Sequence, residues 1–398
     1  MPTLIPRILR RRPKPHGERL ALGSGVLILA TVGGVGGATR VVGTLASGMR
    51  RLGIATRLVF PDPAAIETIA AIQWLEGEGV GAESSAALPA WYASHGLPAL
   101  WRLRGLVAQA GPSVTYLHYG SNQIAFRDVL AVRAARRGRC VVMVHHAAPI
   151  RGRHRQLMTR IGAELAHVVV VSSPAMKGLL TGIGVRSKKI VVVPLGVPAP
   201  RSNPTRHEAR SRLGLDDEAF VVATVARLDP GKNVPLVVRS VASLVREGAN
   251  AQLLVAGTGV EFAAVTSLIK EILERNGRML GRVESLDDLY AAADVFALPS
   301  LEEGFGLVFL EAAWHGVPSL AYAVGGVPYA ISDGATGVLV EAGDEAEFSN
   351  QLRRLCQDAS LRTSLGAAAR VRVEAEFTDR LMTERHLDRL LPGWNTTR

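Results

Sequence analysis

The sequence predicts an α/β protein of two doubly wound domains facing each other across a cleft. Three observations predict it. Short apolar runs alternate with helical stretches in two successive series, the pattern of βαβ units and parallel sheets. A turn-rich segment, Val197-Pro-Ala-Pro-Arg-Ser-Asn-Pro204, parts the two series as a linker would. The chain of 398 residues, 48% hydrophobic and 20% charged, is long and apolar enough for two cores.

Residues 1–20 read as a basic, proline-containing leader without fixed structure. The first domain takes 21–198, with strands expected at 26–30, 55–60, 114–118, 140–145, 167–172 and Ile190-Val-Val-Val-Pro194. Leu20 to Thr39 is uncharged for twenty residues and mimics a signal anchor. Its six glycines favour another origin, a strand (Val26-Leu-Ile-Leu-Ala30) running into a glycine loop and then a helix from Arg40 to Leu52. The second domain takes 199–376, with strands expected at 220–225, 252–256, 278–280, 295–299, 319–322 and 337–340. Phe377 to Leu391 reads as a terminal amphipathic helix within a closing segment 377–398.

The net charge of +11 is unevenly shared. Residues 1–200 hold 25 Lys and Arg against 8 Asp and Glu, whereas 201–398 hold 21 against 27. The basic excess clusters at Arg7 to Arg19 and again between Arg133 and Arg160, which suits a polyanion or an anionic membrane. A solvated basic face is the plain alternative. Aromatic content of 5% and the lack of a nucleic-acid motif argue against nucleic acid as a partner. Cys140 and Cys356 lack metal-ligand spacing and read as reduced and structural, in keeping with a cytoplasmic protein.

Glu303-Gly-Phe-Gly-Leu-Val-Phe-Leu-Glu311 says most about function. Leu307 to Trp314 reads as a helix, with Gly304 and Gly306 where loop turns into helix. A helix start presents unpaired N–H groups and the positive end of the dipole, which suits an anion or a row of hydroxyls. Glu311 lies two turns in, roughly 80° around the axis from Glu303, so both can face one pocket. Carboxylates repel phosphate and suit hydroxyls. Hydroxyls beside a phosphate-friendly helix end describe a nucleotide sugar. A capping glutamate plus a solvated one is the alternative. Against it, the buried run Val295–Ser300 leads straight into the loop, and ligands gather at the carboxyl ends of such strands.

Other strand ends carry matching chemistry. Gly36 and Gly37 follow the first strand and allow backbone to approach a ligand, or simply make a tight turn. The dinucleotide fingerprint fails there, because Thr39 stands where its third glycine belongs and Asp62 lies between two prolines. Arg227-Leu-Asp-Pro-Gly-Lys232 sets a planar fork and a point charge five residues apart, suited to a diphosphate; a solvated turn is the alternative. Gly257-Thr-Gly259 ends the next strand, where a ribose or base could pack. His145 and His146 end a strand and could orient a sugar hydroxyl, or be structural; His118 ends another. With no Asp-x-Asp and no His/Cys/Asp set at ligand spacing, a metal-bridged diphosphate is not expected.

Taken together, these residues resemble the family 4 retaining glycosyltransferases of GT-B fold, from about Val26 to Leu391. The resemblance rests on Gly36-Gly37 with Leu45-Ala46, on His145, and on Val169-Val-Val-Ser172 through Lys189-Ile-Val-Val-Val-Pro194. It rests equally on Arg227 with Lys232, and on Glu303 to Glu311 followed by Gly325-Gly326. Leu195, Gly231 and Tyr329 depart from the usual residues and leave the donor sugar open.

The resemblance implies a metal-independent enzyme that moves a glycosyl group from a nucleotide-diphosphate sugar, with no cofactor. Arg227 and Lys232 would neutralise the leaving diphosphate, Glu303 would hold the transferred sugar and His145 would lie near its anomeric carbon. Glu311 would hold the ribose. Backbone at Gly304, Phe305, Gly306, Leu307 and Val308 would touch donor, with Gly36, Gly37, Gly257, Gly259 and Val283 completing its site. The terminal helix would cross back to the first domain. The acceptor would be a glycan or glycolipid of cell-envelope biosynthesis, met at the inner face of the plasma membrane, with peripheral contact through the basic first domain. A catalytically degenerate scaffold and a sugar-nucleotide epimerase are the competing readings.

Overall fold

The computed structural model describes residues 25–31, 36–61, 66–77, 79–85, 97–120, 123–145, 149–283 and 285–390. The leader, Asp62, His146, Leu391 and positions 32–35 of the glycine loop lie outside them.

The first series runs β1 (Val26–Thr31), α1 (Gly37–Arg51), β2 (Thr56–Phe60), α2 (Ile66–Gly77), β3 (Glu83–Ser84), α3 (Leu97–Ala110), β4 (Val114–Tyr119), α4 (Phe126–Ala134), β5 (Arg139–Val144), α5 (Arg153–Leu165), β6 (Val168–Val171), α6 (Pro174–Gly182) and β7 (Ile190–Val192). Among the described residues its seven strands pair in the order β3-β2-β1-β4-β5-β6-β7, every pair parallel. A parallel sheet is covered on both faces, so its strands are apolar throughout, and every residue of β1, β4 and β6 is buried. Alternate residues serve opposite faces: Val26, Ile28 and Ala30 meet α1 and α2, while Leu27 and Leu29 meet α3 to α6.

The second series runs α7 (Arg206–Leu213), β8 (Phe220–Val225), α8 (Val234–Arg246), β9 (Ala251–Ala256), α9 (Phe262–Ile272), β10 (Gly277–Gly281), α10 (Asp287–Ala292), β11 (Val295–Leu298), α11 (Leu307–Trp314), β12 (Ser319–Tyr322), α12 (Val327–Ala330) and β13 (Gly337–Val340), then α13 (Glu345–Gln357), α14 (Ala359–Glu376) and α15 (Asp379–Leu390). Among the described residues its six strands are also parallel, in the order β10-β9-β8-β11-β12-β13. In both sheets the strand order reverses beside the first strand, the switch point at which doubly wound folds bind ligands.

The chain then returns to the first sheet. Val197 of the linker donates to the Phe377 carbonyl at 2.8 Å and accepts from Asp379 N–H at 3.0 Å. The crossing is so close that a Cβ on Gly196 would stand 2.2 Å from the Thr378 carbonyl oxygen. From there α15 lies on α1: Arg51 pairs with Asp379, Gly48 faces Thr383, and Met382 and Leu387 enter the first domain's core.

Small differences from the sequence expectation have local causes. The two-residue β3 is too short to show alternation. Helix α1 starts at Gly37 rather than Arg40, since buried Val41, Val42 and Leu45 anchor its inner face and the first turn extends back from them. Helix α15 starts at Asp379, because Phe377 and Thr378 are drawn into pairing with Val197.

Candidate active site

The second domain's share of the site is built on two neighbouring strands. β8 pairs with β11, so the loops leaving them lie side by side, and Leu301 donates to the Gly231 carbonyl at 2.7 Å. Lys232 closes a 3-10 turn in the first loop, and Glu303 sits in the second. Lys232 Nζ lies 2.6 Å from Glu303 Oε2, both side chains less than one fifth exposed. Ser300 Oγ donates to the same oxygen at 3.4 Å. Arg227 lies otherwise: its side chain is 81% exposed and its Nε donates to Asp229 at 2.7 Å. An exposed guanidinium paired with Asp229 and an ammonium held by Glu303 thus leave one loop.

Glycine shapes this wall. Gly306 has φ of +87° at the start of α11, and a Cβ there would strike the Phe309 ring at 2.3 Å. Gly257 and Gly259 are explained by the Arg227 loop pressed against them, where added Cβ atoms would lie 1.8 Å from the Ala226 oxygen and 2.2 Å from the Leu228 oxygen. They buttress that loop. Phe305 is buried against Tyr329 and Phe377, so only its backbone can face the cleft. Val308 and Val283 are half-buried against the second domain's core, and Gly304 lends its carbonyl to the close approach of Gly326.

Glu311 looks across the cleft. Its Oε2 accepts from the Tyr290 hydroxyl at 3.0 Å, and its Oε1 lies 2.6 Å from Arg40 Nη1. Oε1 accepts no hydrogen bond there, so this is a charge contact. Burial and the neighbouring carboxylate push the Tyr290 phenol well above its ordinary value. Arg40 belongs to the first turn of α1, and Leu307 Cδ1 comes within 3.9 Å of where a Cβ on Gly37 would stand. Gly37 therefore faces the starting turn of α11. Gly36 is extended, and a Cβ there would meet nothing within 4 Å.

His145 directly follows β5. Its ring is turned inward, Nε2 lying 3.1 Å from His118 Nδ1 with the rings stacked. Its Nδ1 is buried without a partner, so neither ring nitrogen is open to the cleft in this structure. On the far side, His386 of α15 meets the Tyr116 hydroxyl at 3.2 Å through Nδ1. Burial lowers all three histidines, His145 to about 4, His386 to about 3 and His118 well below its ordinary value. No group of His, Cys, Asp and Glu among the described residues is placed to hold a metal ion.

Opposed helix starts, a glutamate before and one within the second, and two cations on a neighbouring loop make up the candidate site, and comparison with known proteins places the chain in a family. Residues 35–201 match the model of Glycosyltransferase Family 4, and residues 205–372 match that of Glycosyl transferases group 1. The chain belongs to the family 4 glycosyltransferases. The family member is 32% identical, over 244 residues, to a GDP-mannose-dependent monoacylated alpha-(1-6)-phosphatidylinositol monomannoside mannosyltransferase of Corynebacterium glutamicum, covering 58% of this chain and 63% of that one. It is 37% identical, over 195 residues, to a D-inositol 3-phosphate glycosyltransferase of Actinosynnema mirum, covering 46% of each. The matched stretches thus span less than two thirds of these relatives' length.

Solved structures agree on the fold. Anabaena HepE in complex with UDP and glucose superposes with a TM-score of 0.76 at 22% identity, covering 93% of this chain and all of that one. Sucrose-phosphate synthase from Thermosynechococcus elongatus gives 0.73 at 23%, covering 92% and 99%. Both likenesses bear on the GT-B architecture alone.

Three residues engaged around this candidate site were missed or undervalued in the sequence. Arg40 is hidden in the glycine-loop helix as one more basic residue. Tyr290 and His386 come from remote segments, and nothing at their own positions marks them.

Proposed function

We propose that the chain is a retaining, metal-independent glycosyltransferase using a nucleotide-diphosphate sugar. The observation that carries this reading is the Lys232–Glu303 pair at 2.6 Å, whose lysine shares its strand-end loop with Arg227. Lys232 and Arg227 would take the charge of the departing diphosphate. Glu303, released from Lys232 when phosphate arrives, would accept hydrogen bonds from hydroxyls of the transferred sugar, and Glu311 from those of the ribose. The bond from the anomeric carbon to the phosphate oxygen breaks as the acceptor oxygen bonds that carbon on the same face. The acceptor's proton passes to the departing phosphate. No protein nucleophile is invoked.

For the acceptor we propose a lipid-linked or cell-envelope glycan precursor, met at the inner face of the plasma membrane. The relative from Corynebacterium is named for an acylated phosphatidylinositol mannoside acceptor, and this chain's basic first half suits such company. Thermal shift against UDP-, GDP- and ADP-sugars identifies the donor, since a bound ligand raises stability by mass action. Transfer assayed with Glu303→Ala and Lys232→Ala tests the catalytic roles. Wild-type rates in both variants would overturn them, and donor turnover without any acceptor would mark an epimerase instead.

A further inference from the structure

Helices α3, α4 and α5 lie side by side on one face of the first sheet, on the opposite side from α1, α2 and α15. Their inner sides are core: Leu103, Val107, Val129, Val132 and Ala163 are buried. Their outer sides repeat a pattern. Trp101 precedes Arg104 on α3, Leu130 sits between Arg127 and Arg133 on α4, and Leu157 sits between Arg153 and Arg160 on α5. Steps of three and four put each set on one stripe.

The apolar members stand well out of the protein, Trp101 at 65% exposure, Leu130 at 45% and Leu157 at 50%. Half of the large apolar side chains exposed among the described residues lie on this one layer. Charge is equally one-sided. Residues 97–167 contain eleven arginines and two acids. Of the acids, Asp128 is buried and accepts from the Tyr119 hydroxyl, while Glu164 is held by Arg186 and by Lys189 at its carbonyl.

Large apolar groups interleaved with arginine on a face without a free carboxylate need an occupant of both characters. Nucleic acid would engage the arginines and leave Leu130 and Leu157 idle. A second copy of this chain would bring arginine against arginine. An anionic bilayer meets both demands: tryptophan favours the headgroup level, leucine the acyl boundary, and guanidinium the lipid phosphates. We propose that the outer face of α3, α4 and α5 docks on anionic membrane, with Trp101, Leu130 and Leu157 entering the interface between the flanking arginines. The inference deepens the proposed lipid-linked acceptor, yet stands on exposure and charge independently of the transfer reaction.

Flotation with phosphatidylcholine vesicles containing none, one fifth or two fifths phosphatidylglycerol tests it, at low and high salt. Binding is expected to rise with phosphatidylglycerol and fall at least tenfold between low and high salt. A Trp101→Ser, Leu130→Gln, Leu157→Gln triple variant is expected to lose tenfold or more while keeping its melting temperature and its donor-induced thermal shift. Brominated lipid should quench wild-type tryptophan fluorescence more than that of Trp101→Phe, a check that needs no polar substitution. Wild-type binding by the triple variant, or equal quenching in Trp101→Phe, would overturn the proposal. So would binding that ignores phosphatidylglycerol, or heparin binding as tight as vesicle binding and unchanged in the triple variant. Failed vesicle binding with intact transfer removes this surface alone, and intact vesicle binding without transfer removes the catalytic reading alone.

Discussion

Arg40 Nη1 lies 2.6 Å from Glu311 Oε1, and this charge contact spans the cleft between the first turn of α1 and the body of α11. It occupies the carboxylate proposed for the ribose. A donor that binds Glu311 must therefore move Arg40 aside.

Arg40→Gln frees that carboxylate. The pair is partly exposed, 35% on the arginine side and 11% on the glutamate side, so its worth is about 0.5–1 kcal/mol. Donor affinity measured by calorimetry is expected to tighten about two- to fivefold. Weaker binding would mean that Arg40 instead turns onto the donor.

Lys232 and Glu303 are in contact, so their deletions should not add. Each alanine variant is expected to lower kcat by about 10²-fold, a size ordinary for a group facing transition-state charge. The double variant should lose clearly less than the product of the two, because either single change already breaks the pair. Full multiplicativity in single-turnover assays would show that the residues act independently.

Gly48 has no room for a methyl group. A Cβ there would stand 2.1 Å from Thr383 Oγ1 and 3.1 Å from its Cβ, wedging α15 off α1. Gly48→Ala should destabilise by about 1–3 kcal/mol in urea unfolding. Adding Thr383→Ala removes Oγ1 and Cγ2 and should recover most of the loss. Unchanged stability in Gly48→Ala would indicate that α15 does not sit on α1 in solution.

Three buried histidines predict a pH dependence. His118, His145 and His386 bind protons less readily when folded than unfolded, owing first to burial. Below the unfolded value of roughly 6.5 the unfolded state takes up more protons, so stability falls with pH. For His145 the decline continues to about pH 4 and for His386 to about pH 3. The urea midpoint should drop between pH 7 and pH 5, and less steeply in His386→Gln. A flat profile over that interval would show that these rings titrate as exposed ones do.

The glutamate motif was legible because its geometry is local. Glycines mark the turn, and an uninterrupted apolar run marks helix α11, which spans Leu307–Trp314 as the sequence reads. Most of the strands were legible for a similar reason, since parallel strands covered on both faces are largely apolar. The second domain's cation pair followed from position alone, at the end of a strand. The inward turn of His145, the Arg40–Glu311 contact and the approach of His386 to Tyr116 were not legible. Their partners lie 27, 271 and 270 residues apart, and meet only through sheet order and the return of α15.

By itself the sequence determined the two parallel sheets and the family, and it marked the candidate site residues, because periodicity, turn residues and strand-end motifs act over a few residues. Tertiary structure decided which of those residues are already engaged. It set Glu303 on Lys232, Glu311 on Arg40 and His145 on His118, and it gathered three helices into one basic, apolar face. Those outcomes depend on how elements stack and cross, and a one-dimensional pattern holds no record of side chains brought together from distant segments.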